Sequence, residues 1–140
     1  MTTIAYRDGV MAGDSGSTSG ETVDGSYRKT FKHKGRLYGM TGRVADAAVF
    51  KEWVKKGRKG KPGISDLQVI EIRADGKVLF WEGDRPPFIY KSPCVAIGTG
   101  SDIALGAMLV GANAKQALKA ARKANVYTIG KIRTIKLKKR

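Results

Sequence analysis

Hydrophobic and polar residues alternate along this chain in short bursts, and the bursts come in pairs joined by an Xaa-Gly step. Residues 3–6 and 10–13 flank Asp8-Gly9, residues 29–32 and 36–39 flank Lys34-Gly35, and residues 69–72 and 77–81 flank Asp75-Gly76. Glycine enters positive φ without a Cβ clash, so such a step folds the chain back on itself, and three antiparallel hairpins are predicted. The period changes at Val44, where Val44, Ala45, Ala48, Val49 and Trp53 fall on one side of a helix predicted over 44–56. A second, more apolar helix is predicted over 102–111, and Asn113 is placed to cap a third over 114–124. A last strand region is expected over 126–137. Residues 55–63 and 83–87 mix charge with Gly and Pro and should be exposed loops. Strands, a helix, strands, two helices and strands again imply an α+β protein in which helices pack on sheets.

Length and composition narrow this picture. A chain of 140 residues suits one domain, 1–140, with one substantial core. No apolar run approaches the roughly 20 residues of a membrane span, so no membrane partner is expected. Residues 1–8 lack the basic start and apolar stretch of a secretory signal, and a cytoplasmic location is expected. One cysteine and one histidine, Cys94 and His33, cannot supply a disulfide or a Cys/His metal cluster, so no metal or other cofactor is expected. Cys94 lies in an apolar run over 93–97 and reads as a small buried residue.

The formal charge of +15 changes the picture more, because it favours anionic partners. Six Lys/Arg fall within 51–61 and six within 131–140. Such runs are ordinarily solvated faces, with nonspecific polyanion binding as the functional alternative. No helix-turn-helix, zinc-finger or RNA-recognition pattern accompanies them, which argues against sequence-specific reading of nucleic acid.

Three motifs carry the candidate chemistry. The first runs from Thr2-Thr3-Ile4 through Gly13-Asp14-Ser15 and Thr22-Val23 to Tyr27-Arg28-Lys29. The second is Gly39-Met40-Thr41-Gly42-Arg43-Val44-Ala45-Asp46-Ala47, and the third is Ile97-Gly98-Thr99-Gly100-Ser101 followed by Val126-Tyr127-Thr128. Together they resemble the proteasome β-subunit and HslV-type threonine peptidases, which are N-terminal-nucleophile (Ntn) hydrolases. The resemblance implies a four-layer αββα sandwich of two antiparallel sheets, and a threonine-type endopeptidase that cleaves unfolded protein inside a homo-oligomer of one ring or stacked rings. It also implies an ATP-dependent unfoldase as partner.

A hydroxyl is a poor nucleophile at neutral pH and needs a base within hydrogen-bond reach. A terminal amine, with an unperturbed pKa of about 7.7–8.0, can act as that base, whereas a lysine at about 10.4 is almost wholly protonated. The resemblance therefore implies that Thr2 is the nucleophile once Met1 is removed. Lys29 would stand beside it as a positive charge held by Asp14, and the Gly42 N–H would face the oxyanion. Thr99, Asn125 and Thr128 would be the supporting polar residues; Thr99 and Thr128 stand where the family has serine, and Asn125 where it has aspartate. Met40, Tyr27 and Val44 would line the pocket for the residue before the scissile bond. The family carries two long helices after Ala-Asp, and only the first has helical spacing here, so one outer helical layer is expected to be shortened. The alternative is a noncatalytic basic relative that binds an anionic partner or nucleic acid.

Overall fold

The computed structural model describes residues 2–19 and 22–138. Eleven strands and three helices follow in the order β1 (Thr3–Arg7), β2 (Val10–Gly13), β3 (Gly16–Ser19), β4 (Thr22–Ser26), β5 (Thr30–His33), β6 (Arg36–Gly42), α1 (Val44–Lys55), β7 (Leu67–Ile72), β8 (Val78–Glu82), β9 (Phe88–Tyr90), β10 (Cys94–Gly98), α2 (Ser101–Leu109), α3 (Ala114–Ala124) and β11 (Arg133–Lys136). One sheet has the order β10-β1-β2-β11 and the other β5-β6-β7-β8-β9, with β3 and β4 as a separate hairpin. Every pairing within these sheets is antiparallel. The fold is α+β.

The predicted hairpins form, by two kinds of turn. Asp8 and Gly9 have φ of 50° and 80°, and Lys34 and Gly35 have 48° and 77°, the double positive φ that a two-residue turn demands. The third connection is longer. The Arg73 N–H bonds to the Lys77 carbonyl and the Gly76 N–H to the Arg73 carbonyl, with Gly76 alone at positive φ, 89°.

Strand alternation then sorts the side chains into layers. Ile4, Tyr6, Met11, Val95 and Ile97 point from the first sheet onto Leu37, Ile70, Ile72 and Val78 of the second. Their neighbours Ala5, Ala12 and Cys94 point the other way, onto Ala104 and Met108 of α2 and Ala117, Leu118 and Ala121 of α3. On the far face of the second sheet, Tyr38, Met40, Val69 and Trp81 pack against Ala47, Phe50 and Val54 of α1. Burying a side chain such as Phe50, 0% exposed, contributes about 1.5–3 kcal/mol. Cys94 is a buried free thiol in β10.

Between α1 and β7, residues 56–66 contain no helix, and Arg58 does part of the work a second helix would do. Its guanidinium lies 5.5 Å from the ring centre of Tyr38 and 5.8 Å from those of Trp53 and Trp81. It pairs with Glu71 at 2.7 Å, while Arg36 reaches the same carboxylate at 2.5 Å and the Trp81 indole N–H donates to it at 2.9 Å. Glu71 is 0% exposed, and these three donors make its burial tolerable. Buried Tyr38 has its hydroxyl pKa pushed up, first by burial and then by the Glu71 charge.

The structure departs from the sequence expectation at several elements. The strand region expected over 126–137 is a strand only from Arg133 to Lys136. Upstream, the Ile129 carbonyl is taken by the Ser15 and Gly16 N–H groups and Gly130 turns at φ 83°, so tertiary bonds and a turn replace the ladder. The short strands β3, β4 and β9 lack the apolar alternation that would have marked them.

Candidate functional site

The candidate residues gather where the chain enters β1. Thr2 is 1% exposed, and its carbonyl accepts the Thr99 N–H at 2.9 Å. Gly98 makes that approach possible: at φ 99°, a Cβ there would stand 1.8 Å from the Thr2 oxygen. The next residue ties the start of β1 to β2, because the Thr3 N–H donates to Asp14 Oδ1 at 3.0 Å. Asp14 Oδ2 in turn accepts from Lys29 Nζ at 3.1 Å and from the Ile129 N–H at 3.1 Å. Both side chains of the Asp14–Lys29 pair are 0% exposed. Burial lowers the Lys29 ammonium below its ordinary 10.5, and the Asp14 charge and hydrogen bond pull it back up. Lys29 Nζ also lies 5.4 Å from the ring centre of Tyr27, whose hydroxyl is hydrogen-bonded to the Thr2 side chain. Burial raises the Tyr27 hydroxyl pKa despite that bond.

A second set of bonds holds the other side of Thr2. Asn125 Oδ1 accepts from Thr99 Oγ1 at 3.2 Å, Thr128 Oγ1 at 3.0 Å and the Tyr127 N–H at 3.1 Å. Its Nδ2 donates to the Thr99 carbonyl at 3.3 Å, a bond that an aspartate could not make. With the Thr128 proton committed to Asn125, the 2.7 Å contact between Thr3 Oγ1 and Thr128 Oγ1 has Thr3 as donor. Thr3 Oγ1 accepts the Gly100 N–H at 3.0 Å, so the chain runs Gly100, Thr3, Thr128, Asn125 with every proton assigned. A Cβ on Gly100 would lie 2.4 Å from Thr3 Oγ1, so the second glycine of the Gly98-Thr99-Gly100 turn keeps this chain open.

Beside these residues opens a cavity of about 910 Å³, with Tyr27, Gly42, Val44 and Thr99 in its lining. Gly42 has φ 134°, and a Cβ there would meet the Asp66 carbonyl oxygen at 2.4 Å, the same oxygen that accepts the Arg43 N–H at 2.9 Å. Met40 is elsewhere: it is 3% exposed within the core under α1 and is not part of the cavity lining. Sequence reasoning missed Thr3, Gly98 and Gly100 as working parts of the site, although the Thr-Thr pair and the Gly-Thr-Gly turn were visible. It also missed Phe80, Gln68 and Asp66 in the cavity wall, which no local pattern marks. Met1, whose removal the reading requires, lies outside the described residues. Among the described residues no group of three His, Cys, Asp or Glu could hold a metal ion, and no helix is long and apolar enough to cross a membrane.

Among solved structures, BPH of Thiobacillus denitrificans in complex with epoxomicin superimposes with a TM-score of 0.68 at 16% identity, covering 99% of each chain. A second structure of BPH gives 0.64 at 17% identity over 98% of each chain. HslV from Trypanosoma brucei gives 0.67 at 22% identity over 97% of this chain and 99% of that one. The fold is that of HslV. No protein-family model matches the sequence, and no curated protein sequence matches it. At these identities the likeness carries the HslV fold alone, and the chemistry has to be argued from the residues.

Proposed function

We propose that this protein is a threonine-type endopeptidase of the proteasome β-subunit and HslV kind, with Thr2 as N-terminal nucleophile. The observation that carries the reading is that Thr2, bonded to the Tyr27 hydroxyl and the Thr99 N–H, adjoins Thr3, whose N–H is held by the buried Asp14–Lys29 ion pair, beside a cavity edged by Gly42. Removal of Met1 converts the Thr2 amide nitrogen into an amine. That amine accepts the hydroxyl proton as Oγ1 attacks the peptide carbonyl, and later delivers it to the departing amine of the substrate. Lys29 disfavours protonation of the Thr2 amine and favours the developing alkoxide, while Asp14 holds it in place. The Gly42 N–H is the candidate donor to the oxyanion, a contact worth about 10²–10³ in rate where it is made. Water then hydrolyses the acyl-threonine ester.

The chain from Thr3 through Thr128 to Asn125 fixes the residue that follows Thr2 without contributing a charge. Tyr27, Val44, Phe80 and Ile97 in the cavity wall favour an apolar residue before the scissile bond, in an extended, unfolded substrate. The protein works as a homo-oligomer in the cytoplasm, with an ATP-dependent unfoldase as the partner that would deliver substrate.

The test is intact mass and N-terminal sequencing before and after treatment with epoxomicin, the ligand of the BPH complex. Its epoxyketone closes a ring on the hydroxyl and amine of an N-terminal threonine. Loss of Met1 and one adduct per chain, absent in Thr2→Ala, is the expected result. Retained Met1 with no adduct would sink the peptidase reading and leave the noncatalytic, anion-binding alternative.

A further inference from the structure

The cationic residues that are scattered in sequence meet at one end of the molecule, opposite the candidate active site. The turns β1–β2, β5–β6 and β7–β8 all lie at this end, and Lys32 Nζ donates to the Lys136 carbonyl at 2.7 Å, which brings the end of β11 beside β5. The C-terminal end of α1 joins them, since a cavity of about 210 Å³ is lined by Val54 and Gly57 together with His33, Lys34, Arg36 and Arg58. β6, seven residues long, separates this cavity from Gly42 by roughly 20 Å.

The carboxylates beside these turns are already committed to arginine. Asp8 pairs with Arg7 at 3.4 Å, Asp75 with Arg73 at 3.6 Å, and Glu71 takes both Arg36 and Arg58. Lys32, Lys34, Lys77, Lys136 and Lys138 are exposed around them and join none of the salt bridges among the described residues, which makes their charge available to a partner. Lysines on edge strands also discourage unwanted strand pairing. That role does not account for Lys34 and Lys77, which sit in turns, or for a cavity walled by two guanidiniums.

We propose that this end of the sandwich is a docking face for the phosphodiester backbone of a nucleic acid, with one phosphate seated in the cavity between Lys34, Arg36 and Arg58 and its neighbours on Lys32 and Lys136. Guanidiniums present a planar fork to phosphate oxygens, and lysines follow the remaining charges. Of the two rings in the lining, Tyr38 is buried and His33 half-buried, so the contact is made mainly by cationic groups and is dominated by counterion release with little reading of sequence. This proposal does not depend on the chemistry at Thr2.

The experiment is fluorescence anisotropy of a mixed-sequence single-stranded oligonucleotide against the full chain over a salt series. The test variant combines Lys32→Glu, Lys34→Asp and Lys136→Glu; aspartate is chosen at 34 because that residue sits at φ 48°. The control reverses Lys115, Lys119 and Lys123 to Glu on the exposed side of α3, with the same loss of net charge. The expected result is an affinity loss of at least about tenfold and a salt slope shallower by about 2 in the test variant only. Equal loss in both variants, or in neither, would overturn the proposal. So would displacement of the oligonucleotide by poly-glutamate at equal charge concentration, which would make the face one for acidic polypeptides. If the charge-reversed protein does not fold by circular dichroism, Lys32→Gln, Lys34→Asn and Lys136→Gln set against Lys115→Gln, Lys119→Gln and Lys123→Gln make the same comparison, with the same outcomes deciding it.

Discussion

At the scale of single residues, the Asp14–Lys29 pair is where chemistry and stability are hardest to separate. Two charges are removed from water completely, and what compensates is their mutual bond together with the Thr3 and Ile129 N–H groups on the same carboxylate. Removing one partner therefore costs more than the pair contributes. Asp14→Ala would leave a buried ammonium facing an emptied position and two backbone donors unsatisfied, and should destabilise the fold by about 3–5 kcal/mol in urea denaturation. A loss below about 1 kcal/mol would mean that water reaches the pair and that its members are not desolvated. The glycines impose a different constraint. Gly98 is held by the Thr2 oxygen 1.8 Å from where a Cβ would be, so the turn before α2 and the candidate nucleophile are shaped together.

At the scale of elements, α1 shows how a shortened layer is kept in place. Its last turn ends against Arg58, and its first turn is tied down by Asp46, whose Oδ2 accepts the N–H groups of Ser65 at 3.1 Å and Asp66 at 2.8 Å. Those bonds hold the Asp46 carboxyl below its ordinary 3.8. A carboxylate whose pKa is lowered by folding stabilises the fold above its unfolded value and loses that contribution as pH falls through its folded one. Thermal melts from pH 6 downwards should thus show a wild-type advantage over Asp46→Ala that is intact at the start and shrinks below about pH 3.8. A gap that stayed constant to the acid limit would mean that the tether does not depend on charge. This loop also shows what could be read in the sequence. Local signals were legible: the Xaa-Gly turns, the existence of α1, and Asn113, which caps α3 and exchanges bonds with Gln116. The face of α1 was not, because Val44, Ala45, Ala48 and Val49, expected on its apolar side, are exposed, and Ala47, Phe50 and Val54 are buried instead. The order of Thr2, Asp14 and Lys29 was legible as well; Asp14 and Lys29 pair, and Asp14 takes the N–H of Thr3, the residue next to Thr2. Asn125 and Thr128 were expected as supporting residues, but their link to Thr3 was not legible, because Thr3 and Thr128 lie 125 residues apart and Thr3 alone is an ordinary polar residue. Strand β9 was missed because Phe88-Ile89-Tyr90 has no alternation to detect, and the burial of Met40 could not be known before the packing of α1 was.

At the scale of the whole molecule, the two sides of the sandwich are finished in opposite ways. On one side the edge strands β5 and β11 stand together with Lys32 and Lys136 exposed, which deters another strand from pairing there. On the other side the second sheet ends at β9, where Phe88 and Ile89 are each 51% exposed and Tyr90 is 43% exposed. An apolar edge with unpaired backbone groups is a liability for a chain that stays alone and an asset for one that assembles. This asymmetry fits the proposed homo-oligomer and indicates which side is covered in it. Replacing Ile89 and Tyr90 by lysine would add charge to that edge while leaving the candidate site and the buried clusters intact. Sedimentation velocity should then find the wild-type chain at a multiple of 15.1 kDa and the double variant shifted towards a single chain. A wild type that already sediments as one chain would remove the enclosed chamber from the proposed mechanism, and an assembly indifferent to both lysines would place its contacts away from β9. Should the double variant dissociate yet still take the epoxomicin adduct, assembly would control access to Thr2 without building the nucleophile.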